Sequence, residues 1–184
     1  MKWAAAAMLS LACASAVVAA THTGRDAIVK ARQSSMKEMA AAAKTIAGMF
    51  DGNQAYDAAA FKAAAETIRV RAGPALIAEF PSATLGAPSD AKLEIDQARP
   101  EFEALARHMG TLASTLAAKA ERAPPGITDD MRMGPGLAMG GGSLLGKRPA
   151  AAEADPAKLP AEHLLHLILQ DCSDCHSKFR QKVQ

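Results

Sequence analysis

The sequence predicts an all-α protein, an antiparallel four-helix bundle, and three observations carry that expectation. Apolar residues return in alternating steps of three and four along four separate stretches. No stretch alternates with a period of two, as a half-buried strand does. Aromatic residues make up only 4% of the chain and alanine is abundant, a composition that lets helices approach closely.

At 184 residues the chain suits one domain with a proper core. Lys2, the apolar run Trp3 to Val18, and the small residues Val18-Ala19-Ala20 read as a secretory leader over 1–20, leaving a domain of 21–184. A membrane anchor is disfavoured because the run is short and alanine-rich for a bilayer span. Cys13 after Leu11-Ala12 raises a lipoprotein-type processing site, against which Ser10 and the very early position weigh. The first helix of the domain is expected from Asp26 to Phe50, with Val29, Arg32, Met36, Met39, Ala43, Ile46 and Phe50 on its seam. Arg32 is the odd member of that seam. Either it faces the core and needs an anionic partner, or its stem packs while its head reaches solvent.

Asp51-Gly52-Asn53 ends this helix, and Asp57 has the chemistry of an N-cap for a second one through Phe61, Ala65 and Ile68. Gly73-Pro74 breaks it, and the Pro, Ser, Gly and Ala between Pro81 and Asp90 read as a loop over one end of the bundle. The third helix is under way by Pro100 and places Phe102, Leu105, Met109, Leu112 and Leu116 at seam spacing before ending near Arg122. From Ala123 to about Lys158 the chain holds Pro124-Pro125-Gly126, Gly140-Gly141-Gly142 and the methionines 131, 133 and 139. That composition reads as a flexible insertion, in preference to a Cu(I) site built from thioethers. The last helix begins near Pro160 and puts Leu164, Ile168, Cys172, Cys175, Phe179 and Val183 on one side.

Within that helix lies Cys172-Ser173-Asp174-Cys175-His176, a C-x-x-C-H run. On a helix the two thiols and the imidazole fall three and four residues apart, so all three project from one face. This is the attachment pattern of one c-type haem, with Cys172 and Cys175 adding to the vinyl groups as thioethers and His176 binding iron. A thioredoxin-like pair would need a strand–turn–helix setting, and a zinc site a second pair of ligands; neither is present in the sequence. Export agrees with haem, because thiols in an oxidising compartment form disulfides unless bonded to something else. Haem propionates would also be an anionic partner for Arg32. The formal charge of +2, less the one carried by Lys2, is too small to argue for nucleic acid or a membrane surface.

The order of these features resembles the class II c-type cytochromes, the cytochrome c-prime family. Ala31 to Lys37 is similar to that family's first-helix R-Q-x-x-M/L segment, Tyr56-Asp57-Ala58-Ala59 to its second-helix start, and Cys172 to Arg180 to its terminal C-x-x-C-H-x-x-F/Y-R. The chain departs from the pattern at Ile95-Asp96, where I-W is frequent, and in the length of the insertion. By resemblance, His176 is the proximal ligand, Cys172 and Cys175 are the anchors, Arg32 is a propionate or pocket partner, and Arg180 lies near the proximal face. Arg180 has a plainer reading too, as a last-turn cation favoured by the helix dipole.

The resemblance also places Met36 on the distal side of the iron. If its sulfur binds, the iron is Met/His-ligated and the protein is a periplasmic electron carrier with a redox partner protein. If it only packs, the iron stays five-coordinate and small gases such as NO or CO can bind. Met36-Lys37 resembles the Met/His-ligated branch, so electron transfer is the expectation and gas binding the alternative. Met39 is read as seam packing. His163 and His166 precede the motif by more than a turn and are expected to face solvent, His108 to lie at the surface, and His22 to belong to a frayed N-terminus. Peroxide chemistry would need distal groups that move protons, and Ser34, Ser35 and Met36 include no His or carboxylate, so no enzyme is expected. The resemblance further implies a homodimer through the first two helices.

Overall fold

The computed structural model describes the backbone of residues 4–134 and 155–181, with side chains from Gly24 onward. Six helices occur among them: α1 Ala4–Phe50, α2 Ala58–Arg71, α3 Pro74–Ala78, α4 Glu94–Gln97, α5 Arg99–Ala120 and α6 Ala161–Phe179. The long ones, α1, α2, α5 and α6, make the four-helix bundle. The seam from Asp26 is continuous with a helix that starts at Ala4, so residues read as a leader share one helical backbone with the first bundle helix.

Local chemistry sets the boundaries. Gly52, at φ 75°, supplies the left-handed turn after α1. Asp57 caps α2 by accepting from the Ala60 N–H at 2.6 Å, as its residue type predicts. Gly73, at φ 61°, ends that run and lets Pro74 open α3, a turn that periodicity alone did not reveal. Pro100 sits in the first turn of α5, where its missing N–H costs nothing.

Most of the expected seam positions are buried, whereas Val29, Met36, Leu105, Cys172 and Cys175 are half-buried and Val183 lies outside the described residues. Ile46, Phe61, Ile68, Phe102, Leu112, Leu116, Leu164 and Ile168 lose all or nearly all contact with water, each worth roughly 1.5–3 kcal/mol of transfer energy. Small residues set the spacing between helices, most tightly where a side chain on Gly110 of α5 would come 2.8 Å from the Cα of Gly73. Around the bundle α1 packs on α2, α2 on α5 and α5 on α6, whereas α6 meets α1 only sparsely. That looser seam is where the space for a ligand opens.

The segment from Glu79 to Lys92 straps one end of the bundle. Arg25 of α1 donates to the carbonyls of Leu85, Gly86 and Ala87, the last at 2.8 Å. Arg99 of α5 donates twice to the Phe80 carbonyl at 3.0 Å. At its far end the strap joins the terminus of α6, where the Lys92 N–H meets the Phe179 carbonyl and the Gln181 N–H the Asp90 carbonyl. Phe80 stacks toward Phe102, and Phe102 meets Phe179 edge-on at 5.6 Å. Of the glycine-rich stretch, the described part also docks: Met131 is buried and Arg132 donates to the Phe50 carbonyl at 3.1 Å. Met139 lies outside the described residues.

Candidate functional site

Two adjoining cavities of about 300 Å³ and 490 Å³ open along the seam between α1 and α6. Met36, Ala40, Cys175 and His176 stand on the wall of both. The smaller cavity is almost wholly apolar and holds Cys172, Met109 of α5 and Met39 of α1. The larger one turns polar, with Arg32, Lys37, Ser89 and Arg180 on its wall.

The helix register explains the convergence. Cys172, Cys175 and His176 share a side of α6, and the alternation of three and four along α1 brings Met36 and Met39 to the same gap. Neither cysteine is in a disulfide. The Cys172 sulfur lies 3.7 Å from that of Met109. Burial pushes both thiols up, Cys175 to about 11. Part of the His176 ring reaches solvent, yet its apolar surroundings push the imidazole below its ordinary value and the charge of Arg180 adds to this. A neutral imidazole is the form that ligates metal.

The residues fit a haem c. An apolar cavity matches a porphyrin, two unbonded thiols and an imidazole lie on its wall, and the adjoining cavity offers three cations, Arg32, Lys37 and Arg180, that could pair with its carboxylates. Among the described residues no group of three or more His, Cys, Asp or Glu side chains could hold a bare metal ion. The zinc alternative therefore finds no ligand set there.

Arg32 is only 4% exposed, which removes the reading in which its head reaches solvent. Its guanidinium donates to the Ser89 hydroxyl at 2.6 Å, to the Thr84 carbonyl at 3.3 Å and to the Glu79 carbonyl at 3.2 Å, and it lies 4.4 Å over the Phe80 ring. Burial lowers its pKa, opposed by the charge of Glu79. Sequence reasoning asked for an anionic partner and missed Glu79, whose carboxylate accepts from Ser35 at 2.5 Å. No spacing rule connects positions so far apart in the chain. Arg180 is half-exposed and stands 3.9 Å from Asp90 of the strap.

Two of the other histidines, His163 and His108, differ from expectation. His163 is half-buried, with Nδ1 shielded from water, because α6 packs its first turn against the Met131 region, where Glu162 accepts from the Met133 N–H at 2.6 Å. His166 is exposed as expected. His108 is tied at 2.7 Å to Asp171, a residue on the wall of the apolar cavity. Asp171 went unread in the sequence, although its position seven residues after Leu164 put an acid on the seam.

A family model described as Cytochrome C' matches residues 27–134. The match ends before the C-x-x-C-H run, so the motif is independent support. Among solved structures, a cytochrome c' with an unusual ligand-controlled dimer dissociation is similar at 20% identity and TM-score 0.58, covering 86% of this chain and 97% of that one. The nitric oxide complex of a variant cytochrome c prime from Alcaligenes xylosoxidans is similar at 21% identity and TM-score 0.58, with the same coverage. A carbon monoxide-bound variant of that protein gives 21% and 0.59, again covering 86% and 97%. No curated protein sequence matches the chain. These findings correct the expectation of an electron carrier with iron held by His176 and Met36, since the structures it resembles include cytochromes c' complexed with NO and CO. The physical reason is that helical spacing brings a thioether to the right gap and does not make it a ligand; here Met36 is one of three methionines packed along the cavity.

Proposed function

The chain belongs to the cytochrome c' family, and from that premise we propose that it binds small gases such as NO and CO at a five-coordinate haem c in the periplasm. Cys172 and Cys175 would hold haem c covalently through two thioethers and His176 would bind its iron, and the group would supply an iron able to take up a small gas. The observation that carries this reading is the apolar wall shared with His176, formed on α1 by Met36, Met39, Ala40 and Ala43. None of these side chains brings an acid, a base or a strong hydrogen-bond donor. They exclude water and favour small uncharged ligands, and the charged side chains on the same wall are Lys44 of α1 and Asp171 of α6. Met36, present in both cavities, packs over the shared space and limits what enters. The NO and CO complexes of similar structures support the same choice.

Two further parts of the reading concern setting. Export follows from the leader-like start of the sequence, and no helix among the described residues is long and apolar enough to cross a membrane. Pairing of two copies through α1 and α2 is supported by Ile28 and Val70, apolar residues exposed on those helices, and by the dimer of a similar cytochrome c'. The deciding experiment is optical: reduced holoprotein titrated with CO should show a new Soret band, and Met36→Ala should take CO up faster. Reduced wild type that is inert to CO would overturn the proposal.

A further inference from the structure

The seam of α6 carries one acid. Asp171 stands three residues after Ile168, so helical geometry turns it toward the bundle, and its side chain is 12% exposed. It lies on the wall of the apolar cavity, immediately before Cys172. His108 of α5 reaches it from the neighbouring helix, with Nδ1 2.7 Å from Oδ2. A carboxylate offers only acceptors, so the imidazole N–H donates and fixes where the charge stands. A charge in such a place is screened far less than one at the surface.

Its influence extends along the attachment wall. After burial, the Asp171 charge is the next cause holding the Cys172 thiol up, and it contributes to the rise of Cys175 behind burial and Cys172 itself. The same field acts on whatever is bonded at those sulfurs.

We propose that Asp171, positioned by His108, biases the haem iron toward its ferric state. A fixed negative charge stabilises the more positive of two oxidation states, and charge in a water-poor pocket is one of the levers a protein has on haem potential. The proposal rests on haem c attachment and deepens the gas-binding reading, because CO requires ferrous iron whereas NO binds both states. Asp171 would thus tilt the pocket against CO under mild reduction.

The test is a spectroelectrochemical titration of the holoprotein at neutral pH. Asp171→Asn keeps shape and removes charge, and should raise the ferrous-to-ferric ratio at fixed ambient potential about tenfold, which is 59 mV for one electron. Asp171→Glu should stay within about twofold of wild type by the same conversion. Should the Asn variant fail to accumulate as holoprotein, His108→Leu decides: stripping the donor from the carboxylate should move the couple the opposite way, toward ferric. An Asn variant titrating like wild type, or a Leu variant shifting toward ferrous or not at all, overturns the inference. CO uptake by fully reduced wild type tests the gas reading separately, so the two can fail independently.

Discussion

Gly110→Ala is the sharpest structural test of this bundle. A Cβ at that position would meet the Cα of Gly73 at 2.8 Å and its N at 3.1 Å. Carbon atoms rest at about 3.5–4.0 Å, so the two backbones would have to part by nearly 1 Å. The obstacle is main chain and has no rotamer to escape into. Overpacking of this kind costs about 1–3 kcal/mol, and with backbone on both sides the upper end applies. Alanine's better helix propensity returns about 1 kcal/mol, which leaves a net loss of about 2 kcal/mol. For a domain of this size that is about 4–8 °C in the melting temperature of the holoprotein. Gly73→Ala is the companion: its Cβ would find ordinary contact at 3.5 Å, but a φ of 61° costs an L side chain about 1–2 kcal/mol. The matching measurement is thermal unfolding followed by circular dichroism, with the wild-type holoprotein under identical conditions. A Gly110→Ala variant that melts at or above the wild-type temperature would refute the close crossing, and with it the placement of Met109 and His108 against α6.

Two other outcomes follow from named contacts. Arg32→Met should lower stability by on the order of 3 kcal/mol in urea titration, because it leaves the Glu79 and Thr84 carbonyls and the Ser89 hydroxyl without their donor and takes the nearby cation from the Glu79 carboxylate; a loss under about 1 kcal/mol would mean the strap does not depend on that guanidinium. His163 has its pKa lowered chiefly by burial, with His166 adding to it, so the folded chain binds that proton less readily than the unfolded chain does. The unfolded state then holds more protons, and stability falls as pH drops from about 7 to about 5. His163→Gln should flatten that part of the curve; an unchanged slope between the two proteins would remove His163 as its cause.

The bundle was legible because helix seams are a local property. Phe102, Met109, Leu112 and Leu116 declare a buried face through spacing alone, and all four are buried. The strap was less legible: Pro81 to Asp90 could be read as a loop, but its anchoring by Arg25, Arg32 and Arg99 joins residues far apart in sequence. The short turns α3 and α4 escaped because four or five residues carry no period. Asp171 was visible in principle, as an acid at a seam position, and its partner His108 was not.

What the sequence determined by itself was the cofactor and its anchor. Cys172, Cys175 and His176 lie within one and a half helical turns, and their relation to each other needs no tertiary contact. What the tertiary structure decided was everything facing that anchor. Whether Arg32 reaches solvent, what surrounds Met36 and where Asp171 points depend on how α1, α5 and the strap close around α6, contacts between segments whose separation along the chain says nothing of their distance in space. Periodicity names the face a residue occupies, and only packing supplies what lies across from it.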